Sequence, residues 1–198
     1  MKNLEKTLQF LPLAYLFLIV LGILKESLFY FQVGINIMNY SSIVDVIMSP
    51  ISELTSSINI LLGCIISSFF PFLFVNILKK YSHKKWTYYF TNEKDMNQYS
   101  DEVKKEKYLM LTIGILAAGY IGYFVGFGVI NGQKIAEKIA NNSIQYEDLL
   151  HLNSGEPKKC HILGSNSQYF FIINTSKTTE IVPLGSISSI INKPEIKK

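Results

Sequence analysis

The residues that could do chemistry cluster where the chain leaves its last apolar block. His151 and His161 stand near Glu147, Asp148, Glu156 and Cys160. Two imidazoles with carboxylates could hold a transition metal, and a thiol beside a histidine could serve as a nucleophile once deprotonated. The spacing argues against both. Cys160 and His161 are adjacent, and neighbouring side chains on a strand point to opposite faces, so thiol and imidazole diverge. The other cysteine, Cys64, lies inside an apolar block, and the pair offers neither a disulfide nor a metal-ligand repeat. His83 sits among lysines. The expectation is a non-enzymatic protein without a cofactor or metal, in which these groups are solvated or packed.

Composition points to the medium in which such a chain works. All 19 basic residues are lysine, so the guanidinium fork that grips phosphate bidentately is absent. With a net charge of only +4, nucleic acid is not an expected partner. Apolar residues make up 48% of the chain and charged residues 17%, and the apolar ones come in blocks. Three blocks fall within the range of about 17–25 residues that a bilayer core demands of a helix, the first close to its lower limit. They cover about 8–24, 58–78 and 108–130, and none of the three carries a charge, which removes the usual marker of an ion path. The first could instead be a signal peptide, but Leu24-Lys25-Glu26 offers no small-residue cleavage site. Lys25 can snorkel while Phe29, Tyr30 and Phe31 lie at headgroup depth.

These blocks set the architecture. The fold class expected is an α-helical membrane protein with three transmembrane helices and a small C-terminal antiparallel β unit. Residues 1–131 form the membrane domain. Within it, 41–56 is too polar to span but repeats Ile43, Val46, Ile47, Ile51 and Leu54 at helical spacing, so it could lie in the interface, limited or kinked by Pro50. Pro71 should kink the second span, with Ser67 one turn earlier able to help satisfy the disturbed backbone. An amphipathic helix or linker is expected over 132–152, where Ile135, Ile139 and Ile144 share a face. Residues 153–198 then change period. Four short runs, 160–163, 168–173, 178–182 and 187–191, are separated by turn residues and read as strands.

Lysine placement gives a direction. Lys2 and Lys6 precede the first span and only Lys25 follows it, whereas the 79–107 loop holds Lys79, Lys80, Lys84, Lys85, Lys94, Lys104, Lys105 and Lys107. Cytoplasmic loops collect lysine, so the N-terminus and this loop are expected inside and the β unit in the periplasm or outside the cell. Lys79, Lys80, Lys84, Lys85, Trp86, Tyr88 and Tyr89 read as an interfacial collar that meets anionic lipid. On the third span Gly114, Ala118, Gly122 and Gly126 form a stripe, and Gly128 with Gly132 a second pair. Small residues four apart let helices approach closely. The partner could be another span, a second copy or another membrane protein.

The glycine-rich last helix followed by a β unit resembles, in layout, the small-conductance mechanosensitive channel family, and Glu180–Ile191 (EIVPLGSISSII) is similar to an isoleucine, proline and serine run in that family's β domain. That resemblance implies an oligomeric pore lined by the third helix; the family's β domain is cytoplasmic, opposite to the charge reading here, and no pore residue is carried over. Gly34–Leu54 (GINIMNYSSIVDVIMSPISEL) resembles a pattern found after the first span of uncharacterised small bacterial membrane proteins with a comparable β tail. This implies the division into three spans and a tail and no activity; the location expected is a bacterial inner membrane. The function expected is an accessory, sensor or interaction protein of the membrane, with a channel or transporter subunit as the other reading.

Overall fold

The structure, a computed structural model, describes residues 2–91 and 98–191, with side chains from Leu11 onward. Lys94 and the last seven residues of the expected β unit lie outside the described residues. Helices α1 (Lys2–Phe31), α2 (Ile43–Thr55), α3 (Ile58–Lys80), the short α4 (Tyr88–Thr91) and α5 (Asp101–Ala140) precede strands β1 (Asp148–Leu152), β2 (Lys158–Ser165), β3 (Tyr169–Asn174), β4 (Thr179–Pro183) and β5 (Ile187–Ile191). Three helices are long and apolar enough to cross a membrane, through Leu11–Phe31, Ile58–Lys80 and the apolar part of Asp101–Ala140. The five strands form one antiparallel sheet in the order β4-β3-β2-β1-β5.

Several boundaries differ from the sequence pattern for identifiable reasons. α1 does not end at Leu24; it continues through Lys25 and Glu26 to Phe31, so a charged pair lies within the helix that carries the first apolar block. α5 runs straight on past the third block, and at about 1.5 Å per residue its 40 residues extend about 60 Å. No separate helix forms within 132–152. The Ile135–Ile139 face belongs to α5, which stops where Asn142 adopts φ 56°. There the Ser143 amide donates to the Lys138 carbonyl at 3.0 Å and the Asn142 amide to Ile139 at 3.3 Å, a Schellman stop. The expected helical residues 148–152 instead form β1, with Leu150 fully buried between β2 and β5.

The chain divides into two compact units. One comprises Met1–Pro50 with Phe124–Lys198, the other Ile51–Tyr123. In the first, the sheet has a core on one face around Leu150, Cys160, Ile172 and Val182. On the other face Phe171 joins Tyr30, Val33, Ile35 and Ile37. A register shift between Ile162 and Gly164 turns Leu163 toward this second cluster. In the second unit Val75 and Leu78 of α3 pack on Tyr108 of α5. Here Pro71 sits inside α3, but the Ser67 hydroxyl donates to the Cys64 carbonyl at 2.9 Å rather than helping its own freed carbonyl.

Candidate functional site

The most constructed part of the first unit is the joint between the end of α1, the start of α2 and the β2–β3 turn. Tyr30, one residue before the end of α1, sets its ring 4.9 Å from that of Phe171. Its hydroxyl lies over Gly164, where a Cβ would stand 2.6 Å away, so only glycine admits this approach. Tyr40 packs edge-on against Tyr169, with ring centroids 5.6 Å apart.

Polar groups lock the same joint. Ser42 and Asp45 form a reciprocal capping box at the start of α2: the Ser42 amide donates to the Asp45 carboxylate at 2.9 Å and the Asp45 amide to the Ser42 hydroxyl at 3.2 Å. The same carboxylate accepts from Ser167, its Oδ1 from the amide at 3.0 Å and its Oδ2 from the hydroxyl at 3.1 Å. Asn166 adds a bond from its side-chain amide to the Tyr40 carbonyl at 2.9 Å. Partial burial works against the Asp45 charge, but the hydrogen bonds from Ser42 and Ser167 outweigh it and hold the carboxyl below its usual pKa.

Deeper along α1, α2 and α5 both press against it. A Cβ on Gly22 would overlap the Val46 carbonyl oxygen outright and come within 2.8 Å of its carbon. Lys25 donates to the Ser49 hydroxyl at 3.1 Å, Ser49 donates to Glu26, and the Lys25 ammonium lies 5.6 Å from the centre of the Phe127 ring. Of the small residues expected to mediate packing, Gly128 and Gly132 meet α1, where Cβ atoms would stand 2.6 Å from the Lys25 carbonyl oxygen and 2.7 Å from that of Phe29. Gly114, Gly122 and Gly126 have nothing from another element within 4 Å of a Cβ position, and Ala118 is exposed. Close packing thus falls at the far end of the glycine pattern.

The histidine and cysteine cluster is dispersed across the sheet. Cys160 is fully buried in the Leu150–Ile172 core; burial first, then Asp148 and Glu180, push its thiol up to about 11, against the opposing charge of Lys158. Its neighbour His161 is half-buried beside Leu163, while Asp148 accepts the Ile162 amide at 2.9 Å. The His151 Nε2 is buried with no hydrogen-bond partner among the described residues. Those residues contain no group of three or more His, Cys, Asp and Glu able to hold a metal.

The chain matches no family model, no curated protein and no solved structure.

In the second unit Lys79, Lys80, Lys84, Lys85, Trp86, Tyr88 and Tyr89 are all exposed. Lys79 lies 5.3 Å from the centre of the Tyr108 ring, and Phe90 stacks edge-on against both Phe74 and Trp86. An apolar groove of about 840 Å³ runs between α3 and α5, bounded by Gly63, Pro71, Leu116 and Gly119. At its floor the hydroxyls of Ser68 and Tyr120 meet at 2.7 Å. The sequence pattern did not mark Gly22, Asp45 or Ser167, and it placed Tyr30 at headgroup depth rather than against Phe171. Of these only Asp45 left a local trace, the Ser-x-x-Asp pattern of a helix start.

Proposed function

We propose that the chain is a multi-pass protein of a bacterial inner membrane that carries its β sheet on the outer face as an accessory, sensor or interaction module. The single observation that supports this most is the joint. Tyr30, Asp45 and Gly164 fix the sheet to the ends of α1 and α2 through apolar contact, ring packing and hydrogen bonds at once. A sheet fixed in this way passes a load on its surface directly into apolar helices, as a sensor or an interaction subunit requires. Orientation rests on lysine: an odd number of crossings separates the Lys2 and Lys6 end from the sheet, and the lysine-rich 79–107 loop belongs inside.

Cysteine labelling in whole cells tests the arrangement. Ser154→Cys, in the exposed β1–β2 turn, should react with a membrane-impermeant maleimide from outside, and Lys84→Cys only after the cells are opened. The reverse pattern overturns the orientation, and equal labelling of both sites in intact cells overturns the membrane topology. A subunit of an oligomeric channel is the second reading, favoured by the uncovered Gly114, Gly122 and Gly126 face of α5. Conductance in reconstituted bilayers would support it, and a silent monomer would exclude it.

A further inference from the structure

We infer that a cleft beside the C-terminal end of α5 is a binding site for a phospholipid headgroup that carries an amine. The cleft has a volume of about 520 Å³, within the range of about 300–1,000 Å³ that small-molecule sites occupy. Lys134 and Lys138 line it one helical turn apart, and His161 of β2 faces the same space. Neither lysine has a salt bridge among the described residues. Two ammonium groups on one helix face, with the Asn131 side-chain amide as a neutral donor, suit the oxygens of a phosphate.

Two further features narrow the ligand. Glu137 also lines the cleft, and it stands in the last turn of α5, where the helix carbonyls leave partial negative charge. A simple anion is repelled by both. A headgroup with a phosphate and an ammonium satisfies both signs, the phosphate on Lys134 and Lys138 and the ammonium toward Glu137. The other wall is apolar, formed by Phe29, Ile135 and Leu163, which a free phosphate compound has no use for and a glyceride covers.

Depth selects the lipid source. The apolar run of α5 ends at Ile130 and the cleft begins with the next residue, Asn131. Along the same helix, Gly128 packs at the level of Lys25 and Gly132 at that of Phe29, so the cleft opens where α1 also turns from apolar to polar. This inference rests on α1 and α5 crossing the bilayer but not on which side the sheet occupies.

The test uses the full chain purified in a maltoside detergent and titrated with dihexanoyl phosphatidylethanolamine, with unfolding temperature as the readout. Lipid should raise the midpoint in a saturable way, while inorganic phosphate at the same concentration should not. Lys134→Ala with Lys138→Ala should weaken binding about 25-fold, since each lysine beside a lipid phosphate is worth about a factor of five. Lys159→Ala, which removes one exposed charge elsewhere on β2, should leave affinity unchanged. Glu137→Gln should abolish any preference for the ethanolamine lipid over the dihexanoyl phosphatidylglycerol analogue. Equal stabilisation by inorganic phosphate, equal loss in Lys159→Ala, or no saturable response to either lipid would overturn the site. Because cysteine labelling reports the topology separately, failure of the titration with labelling intact rejects the headgroup site alone.

Discussion

The substitution Gly22→Ala separates the packing seen in the structure from the packing the glycine stripe suggests. At Gly22 the added methyl carbon would overlap the Val46 carbonyl oxygen and lie 2.9 Å from Val46 Cγ1. The side chain could rotate away, but a backbone oxygen inside α2 cannot, so the two helices must separate. Overpacking of this kind costs about 1–3 kcal/mol, and an immovable neighbour places it near the upper end. Alanine recovers about 1 kcal/mol of helix propensity over glycine, which leaves a net loss of about 2 kcal/mol. For a chain of this size that lowers the unfolding midpoint by about 4–8 °C. At Gly122 nothing stands within 4 Å, so Gly122→Ala should leave the midpoint unchanged or raise it. Thermal unfolding of both variants in detergent, followed by a conformational dye, measures the contrast. If Gly22→Ala is neutral, α2 does not sit on α1 as described. If Gly122→Ala is the damaging change and the particle mass also falls, the open stripe is an interface between copies.

Two further predictions concern groups whose titration the fold alters. The Asp45 carboxyl, held below its usual value by Ser42 and Ser167 after partial burial is overcome, stabilises the joint above the unfolded pKa of about 3.9 and loses that effect as pH falls through the folded value. The Ser167 amide, which donates to this carboxylate, should therefore exchange slowly at pH 6 and lose protection below about pH 4, and Asp45→Asn should remove that acid step. Cys160, raised to about 11 by burial and by Asp148 and Glu180, should leave about one thiol in a thousand ionised at pH 8. In a Cys64→Ser background it should resist maleimide until denaturant is added; rapid labelling of the folded chain would disprove the buried assignment.

The apolar architecture was legible because its signals are long. Residues 58–78 and 108–130 are uncharged over enough length to define a helix without tertiary help, and the structure carries both within longer helices. The strands after Lys158 were likewise marked by β-branched runs between turn residues. β1 was not, because Ile135, Ile139 and Ile144 continue a helical spacing across Asn141 and Asn142. The left-handed conformation of Asn142 ends that helix, and asparagine is the residue type that tolerates it.

The joint was less legible for a different reason. The Ser42-x-x-Asp45 box is local, but its other partner, Ser167, stands 122 residues away, and no period or spacing connects them. Gly22 gave no warning either, since a lone glycine in an apolar helix lacks the repeat that drew attention to Gly114–Gly126. Lys25 and Glu26 marked a boundary in the sequence, yet their hydroxyl partner Ser49 comes from α2. Residues that repeat leave a pattern in the sequence, whereas residues that meet a distant partner once do not.

Asp45 carries two obligations with one carboxylate: it begins a helix through Ser42 and holds a hairpin through Ser167. Such sharing binds distant parts of the chain into a common inheritance. A change to glutamate would lengthen the reach by one methylene and shift both bonds together, so neither the loop after α1 nor the β2–β3 turn is free to drift alone. Positions 42, 45 and 167 should therefore covary among descendants of this chain, and a version lacking one of them is expected to have rebuilt the other two.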